Sequence, residues 1–236
     1  MAKIFWRRRV LAMKKKKIID LTFDLEKDMI TFPSKTQIPF KSSILGRIEK
    51  NGRETRKFTM GSHCGTHIDA PKHFIKDGKS VSDIPLDKLF GKAVLIDIGT
   101  LNPGQLITKK IIYDKLKKIP NYPKKILIRT GWDRFWNTNQ YYIKWPYMDF
   151  ECAKFLCEKR FHLIGMDFPS PDNYDTGLKR GMDSPNHKLF FSKEIVLLEY
   201  LNNLNELKEG LVYLMTSPLK LKGFDGAPSR VTAYNI

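Results

Sequence analysis

The chain has 236 residues, of which 42% are hydrophobic and 12% aromatic. This length fits one large domain, and this composition excludes a disordered chain. No apolar run approaches the length of a membrane-spanning helix, so we expect no transmembrane segment. The net charge of +17 (42 basic and 25 acidic residues) raises the question of a nucleic-acid partner, which depends on where the charge lies.

Residues 1–17 form a basic tail with eight Lys or Arg residues and no acidic residue. The remaining 219 residues hold 34 basic and 25 acidic side chains, a balance of +9. They contain no basic stripe interleaved with aromatic residues, so we expect a solvated Lys-rich surface and no nucleic-acid partner. Only residues 10–13 separate the Arg and Lys runs, which is too short for a secretory signal. Met13 is an alternative start, which would make residues 1–12 an extension.

The segments that follow predict one mixed α/β domain over residues 18–236. Turn signals around Pro33 and Pro39 predict a loop or lid over residues 26–50. Helical spacing of apolar residues predicts helices over residues 107–118 and 150–160. Strands are predicted over residues 17–25, 56–60, 93–98, 125–129, 162–166 and 211–215. The runs at 93–98 and 125–129 are short and apolar, which suits strands buried on both faces.

Three cysteines are too few for a disulfide framework, which favours a reduced, cytoplasmic protein. Cys152 and Cys157 fall on the second predicted helix, about 140° apart around its axis, so they are not expected to share a ligand site.

Three of the five histidines fall within eleven residues, in the segment HCGTHIDAPKH. His63, His67, Asp69 and His73 all have odd numbers, so in an extended segment their side chains leave from one face. A helix would rotate Asp69 about 240° from His63. Gly65 leaves space on the same face. Two imidazoles and a carboxylate beside a further imidazole suit a divalent ion such as Zn²⁺ or Mn²⁺.

This segment resembles the signature His-x-Gly-Thr-His-x-Asp-x-Pro-x-His of the cyclase family of metal-dependent hydrolases, which includes kynurenine formamidases and isatin hydrolases. Further similar pieces follow in the family's order, so the resemblance covers about residues 18–236. They are IIDLTFDL at 18–25, LIRTGW at 127–132, GMDFPSPD at 165–172 and PLKLKGFDGAPSR at 218–230.

The resemblance implies a role for each matching residue. His63 and His67 match metal ligands, Asp69 matches a carboxylate that bridges two ions, and His73 matches the catalytic acid/base. His187 and Glu199, twelve residues apart, match the later pair of ligands. Without the resemblance, His187 is most simply a loop residue. Glu199, inside an apolar run, lies either near a strand end facing solvent or buried against a cation.

The resemblance also implies a fold, an assembly and a reaction. The fold is a mixed β-sheet or flattened barrel with a few helices, described as swivelling β/β/α-like, in a homodimer or homotetramer. Two divalent ions, with Zn²⁺ preferred to Mn²⁺, would activate water for attack on an aryl formamide such as N-formylkynurenine. One alternative is a cyclic amide or imide of the isatin type as substrate. An alternative of another class is a basic protein that binds nucleic acid or another anionic surface and keeps a structural metal.

Substrate contacts are predicted at Phe32, Pro33 and Ser170. The first two match an aromatic-proline pair in the family's substrate loop, whose following Gly-Asp pair is absent here. Asp167, Ser170 and Asp172 lie in a family-like loop expected to shape the site. His162 matches no motif position and is expected to be structural. Cys64, with an even number, should point away from the ligands.

Overall fold

The computed structural model describes residues 16–175 and 184–236. The basic tail predicted over residues 1–17 therefore lies outside the described residues except for Lys16 and Lys17, and so does the alternative start at Met13. Among the described residues, no helix combines the length and the apolar composition that crossing a membrane requires.

The strands and helices are numbered here in chain order. The strands are β1 (Ile19–Asp20), β2 (Lys41–Gly46), β3 (Thr55–Thr59), β4 (His67–Asp69), β5 (Phe90–Asp97), β6 (Leu106–Ile107), β7 (Lys125–Arg129), β8 (Tyr147–Met148), β9 (Leu163–Met166), β10 (Val196–Glu199), β11 (Gly210–Pro218) and β12 (Gly226–Asn235). The helices are α1 (Ile48–Asn51), α2 (Leu86–Leu89), α3 (Lys109–Leu116), α4 (Phe150–Glu158) and α5 (Pro185–Ser192).

One sheet closes on itself to form a flattened barrel. Its strands follow the order β1-β12-β11-β5-β7-β9-β10-β4, and β4 pairs again with β12, which completes a ring of seven strands. Strands β5, β7, β9 and β10 run parallel to one another, whereas β4, β11 and β12 pair antiparallel. The predicted mixed β-sheet or flattened barrel with few helices is confirmed.

The barrel strands are apolar on both faces because each face packs against its own core. In β5, Ala93 and Leu95 join one buried cluster, while Val94 and Ile96 join the other. The cluster that contains Ala93 and Leu95 fills the barrel. The cluster that contains Val94 and Ile96 lies between the sheet and helices α3, α4 and α5. The continuous apolar runs in the sequence follow from this double burial.

The two longest predicted helices are present where the spacing placed them. Thr108 accepts a hydrogen bond from the Ile111 N–H at the start of α3, and Asp149 accepts one from the Cys152 N–H at the start of α4. These contacts satisfy backbone donors that have no partner within the helix.

The loop predicted over residues 26–50 is wrong in its second half, where β2 and α1 form. Strand β2 pairs only with β3 in a separate two-stranded sheet. Most of its residues are exposed on both faces, so it lacks the apolar alternation that identifies a strand in a sequence. The strand predicted over residues 17–25 shrinks to the two residues of β1.

Candidate metal centre

Two neighbouring strands bring the first three candidate ligands together. Strand β4 pairs antiparallel with β10, so that His67 lies opposite Glu199 and Asp69 lies opposite Leu197. Between the two candidate ligands of β4, Ile68 points into the barrel core. His67, Asp69 and Glu199 therefore share the opposite face, and each is at most 4% exposed.

The extended segment predicted over residues 63–73 is limited to β4. A turn precedes the strand, with Gly65 at a φ of +62°, and a short 3-10 turn over Pro71–His73 follows it. A Cβ at Gly65 would lie 2.4 Å from a side-chain carbon of Leu25, so glycine here allows a tight turn and close packing. The four polar side chains therefore meet through turns on either side of the strand and not through a common strand face.

Asp69 is the centre of the cluster. Its Oδ1 atom lies 2.6 Å from His63 Nδ1 and 3.1 Å from His67 Nε2, and its Oδ2 atom lies 3.7 Å from His187 Nε2. Glu199 closes the other side, with Oε2 3.6 Å from His67 Nε2 and Oε1 3.4 Å from His187 Nε2. Two buried carboxylates thus face three imidazoles.

A backbone hydrogen bond fixes the orientation of the His67 ring in this cluster. Its Nδ1–H donates to the Gly65 carbonyl oxygen at 2.8 Å, and a carbonyl oxygen can only accept. The ring is therefore oriented with its Nε2 atom toward Asp69 and Glu199. Metal-binding histidines typically have their second ring nitrogen engaged in this way.

His187 lies in helix α5 and not in a loop, so the loop interpretation of this residue is wrong. Pro185 occupies the first turn of the helix, where its missing N–H costs nothing. The Asp172 carboxylate accepts the backbone N–H groups of Asn186 and His187, and its Oδ2 atom lies 2.5 Å from His187 Nδ1. This contact leaves His187 Nε2 directed at Asp69 and Glu199.

His63 and His73 meet at a carboxylate that the sequence analysis missed, Asp225. Its Oδ2 atom lies 2.8 Å from His63 Nε2 and 3.0 Å from His73 Nδ1, and the two rings are 4.1 Å apart between centroids. Its Oδ1 atom accepts a hydrogen bond from the Ser62 hydroxyl at 3.0 Å. The only sequence signal was its place in the family-like piece at 218–230.

The pKa values in the cluster are shifted because its charged groups are buried and lie close to one another. Burial lowers the pKa of His63, but Asp69 and Asp225 outweigh it and raise that pKa to about 10. Burial likewise lowers the pKa of His187, and Asp172, Asp69 and Glu199 raise it well above its usual value. Burial and the nearby Asp69 raise the pKa of Glu199, because two carboxylates share the site.

This donor set fits a divalent metal. Two groups of potential ligand atoms can each surround one ion, and both contain Asp69: His67 with Asp69 and Glu199, and His63 with Asp69 and His73. The Oε1 atom of Glu199 is buried and makes no hydrogen bond of normal geometry, although His187 Nε2 lies 3.4 Å away. A buried carboxylate oxygen that is poorly hydrogen-bonded carries a desolvation cost, which a cation would offset. Mixed imidazole and carboxylate ligands suit Zn²⁺ and Mn²⁺.

The three predicted substrate contacts differ in their burial and in their neighbours. Phe32 packs against Tyr142 and Trp145, and Pro33 is exposed. The Ser170 hydroxyl accepts the Asp172 N–H, so it supports the carboxylate that holds His187.

Two other side chains were expected to stay outside the ligand set. Cys64 is buried in the hydrophobic core, and burial raises the pKa of its thiol to about 11. His162 is exposed, immediately before β9. Neither belongs to the two ligand groups found among the described residues.

The sequence of the chain is similar to those of known proteins. The family profile described as "Putative cyclase" matches residues 19–173. A kynurenine formamidase from Bacillus anthracis is 34% identical over 226 residues, covering 95% of this chain and 100% of the relative.

Solved structures give the same result. Isatin hydrolase A from Ralstonia solanacearum superposes with a TM-score of 0.82 at 25% identity, covering 93% of this chain and 92% of the other. A protein from Bacillus stearothermophilus described as a predicted metal-dependent hydrolase superposes with a TM-score of 0.73 at 26% identity, covering 93% and 98%. On the match of sequence, fold and histidine signature, this chain belongs to the cyclase family.

Proposed function

We propose that the chain is a metal-dependent hydrolase that cleaves a carbon–nitrogen bond of a small amide, with aryl formamides as the preferred substrate class. The observation that carries the proposal is the position of Asp69, which belongs to both groups of ligand atoms. The similarity to kynurenine formamidases over 95% of the chain supports the reaction class.

Five side chains would hold the metal: His63, His67, Asp69, His187 and Glu199. The two groups of ligand atoms share Asp69, which supports two divalent ions, with Zn²⁺ as the first choice and Mn²⁺ as the second. One group also contains His73, and His187 belongs to neither but has its Nε2 atom 3.7 Å from Asp69 Oδ2 and 3.4 Å from Glu199 Oε1. When bound, such ions lower the pKa of water and polarise a carbonyl group. Glu199, as a second carboxylate, would offset part of the charge of two cations.

His73 is assigned to proton transfer. Its side chain is 28% exposed, the most accessible imidazole of the cluster, so it can meet a substrate. Burial lowers the pKa of His73 against the opposing effect of the Asp225 hydrogen bond, so the ring is neutral and can accept a proton near neutral pH. It would take the proton of the attacking water and return it to the leaving amine nitrogen.

Aromatic rings beside His73 support an aryl substrate. The Phe74 ring lies 4.6 Å from the His73 ring and 5.0 Å from the His187 ring, and Phe191 stacks on Phe74 at 5.9 Å. Phe191 is buried, so the partly exposed Phe74 ring is the flat apolar surface that could pack against an aromatic leaving group. Phe32, Pro33 and Ser170 are kept as predicted substrate contacts.

A cyclic amide of the isatin type is the second candidate substrate. It is favoured by the TM-score of 0.82 to isatin hydrolase A and by the missing Gly-Asp pair after Pro33. In either reaction, water adds across the carbon–nitrogen bond, and the products are a carboxylate and an amine.

A substrate panel distinguishes these candidates. Purified protein loaded with Zn²⁺ or Mn²⁺ would be assayed against N-formylkynurenine, formanilide and isatin. We expect the highest kcat/KM with a formamide. Faster turnover of isatin would favour the second candidate, and hydrolysis of none would contradict the proposal.

Assembly, location and charge complete the proposal. A homodimer or homotetramer in the cytoplasm is expected, with a small amide as the only partner that the reaction needs. Salt-dependent retention on nucleic acid, in the absence of hydrolysis, would instead favour the anionic-surface alternative.

A further inference from the structure

Asp225 lies at the end of a loop that the structure anchors from both sides. Its backbone carbonyl accepts the Ala70 N–H at 2.8 Å, and the Phe224 carbonyl accepts the Val81 N–H at 2.9 Å. The next residue, Gly226, pairs with Asp69 in the β12–β4 ladder. The carboxylate of Asp225 is therefore held in register with the strand that carries His67 and Asp69.

Gly226 makes room for the histidine that Asp225 binds. A Cβ on Gly226 would lie 2.6 Å from His63 Cε1 and 3.0 Å from His63 Nδ1, and 2.9 Å from the Ile68 carbonyl oxygen. The His63 ring thus lies directly on the backbone at Gly226, with one ring nitrogen at Asp225 and the other at Asp69. Asp225 and Gly226 together therefore fix the position of the His63 imidazole.

One oxygen of Asp225 serves two imidazoles. Because a carboxylate oxygen only accepts, the ring nitrogens that approach Oδ2, His63 Nε2 and His73 Nδ1, are both donors. The opposite nitrogen of His73, Nε2, is then the one available for a proton. His63 Nδ1 faces Asp69 Oδ1 at 2.6 Å, so it too carries a proton until a metal replaces that proton between the two groups. The Ser62 hydroxyl on Oδ1 keeps the carboxylate from rotating.

We propose that Asp225 is a positioning residue that sets the tautomer of both His63 and His73, and so aligns a metal ligand and the proton-transfer group through one carboxylate. The proposal rests on the proposed function for the role of His63 as a metal ligand and for the role of His73 in the reaction. The tautomers and the metal affinity can be tested without any substrate.

The experiment compares full-length wild type with Asp225→Ala and Asp225→Asn. The asparagine variant keeps an acceptor oxygen that can occupy the place of Oδ2, so it should retain more function than alanine. Asp20→Asn is the matched control, because Asp20 binds Thr22 and Arg230, a residue of the strand β12 that follows Asp225, but contacts no histidine.

Three readouts separate positioning from folding. Long-range ¹⁵N–¹H spectra of the Zn²⁺-loaded protein report which ring nitrogens carry protons, and so the imidazole tautomers. Zn²⁺ titration against a chelating dye gives the metal Kd, and kcat is measured at saturating Zn²⁺. We expect Asp225→Ala to lose the Nε2–H form of His63 and the Nδ1–H form of His73. We also expect it to weaken Zn²⁺ binding and lower kcat by about 10–100-fold each, with Asp225→Asn in between.

Unchanged tautomers together with a Zn²⁺ Kd and kcat equal to those of the Asp20→Asn control would overturn the proposal. If Asp225→Ala does not fold, Asp225→Asn is read alone, and an unchanged Kd and unchanged tautomers in that variant overturn it equally. If wild type shows the expected tautomers and Asp225 dependence of Zn²⁺ binding but hydrolyses no amide, the proposed function fails and the positioning role stands.

Discussion

Replacing His73 with alanine separates proton transfer from metal binding. The imidazole lies at the open side of the cluster, and its removal leaves His63 in contact with both Asp69 and Asp225. The group formed by His67, Asp69 and Glu199 does not include it. We therefore expect the metal content of His73→Ala to stay close to that of wild type.

The activity of the same variant should fall steeply. A positioned acid/base contributes about 10²–10⁴-fold in rate, which corresponds to about 2.7–5.4 kcal/mol of transition-state stabilisation. His162→Ala is the matched control, because His162 is exposed and lies outside both ligand groups of the described residues. Single-turnover hydrolysis of formanilide and elemental analysis on the same samples give both quantities.

One result would refute this division of roles. His73 also forms a possible ligand group with His63 and Asp69. If His73→Ala loses metal in proportion to activity, and if added Zn²⁺ restores the rate, then His73 is a ligand and another group moves the proton.

Three further predictions concern the metal support, stability and thiol chemistry. Asp172→Asn should weaken Zn²⁺ binding by about 10–100-fold, because the negative charge 2.5 Å from His187 Nδ1 is lost. Isothermal titration measures the Kd, and an unchanged Kd would show that Asp172 only caps α5. Removing the metal with a chelator should lower the unfolding temperature by about 5–10 °C, compared with protein that holds metal at a concentration of 100 times Kd. Calorimetry measures both temperatures, and equal values would argue against a structural contribution of the ion. Burial raises the pKa of the half-buried Cys157 to about 11, so its alkylation by iodoacetamide should rise about tenfold per pH unit from pH 8 to 10; a plateau below pH 9, measured by peptide mass spectrometry, would contradict this.

Much of the barrel could be predicted from the sequence because its strands are buried on both faces. The apolar run over Lys125–Arg129 matches β7 residue for residue, because a short apolar run of this length is typical of a strand buried on both faces. Strand β2 could not be predicted in the same way, whereas β3 lies within one residue of the strand predicted over residues 56–60. The side chains of β2 are largely exposed, so solvent and not packing surrounds the side chains that would carry a pattern.

The candidate site was predictable where its residues are close in sequence. His63, His67, Asp69 and His73 lie within eleven residues, and a family signature covers all four. Asp225 was missed because it reaches His63 across 162 positions, and an Asp-Gly pair by itself indicates only a turn. Its role becomes visible only when the β12–β4 ladder brings the two segments together.

Metal-dependent amide hydrolysis at the Asp69 cluster is the central claim, and a metal titration tests it most directly. Protein stripped by a chelator would be titrated with Zn²⁺ or Mn²⁺ while the hydrolysis of N-formylkynurenine is followed, in wild type and in Asp69→Ala. We predict no turnover without metal, full recovery in wild type as metal is added, and none in Asp69→Ala. Hydrolysis that persists in the stripped wild type, or that returns equally in Asp69→Ala, would contradict the claim.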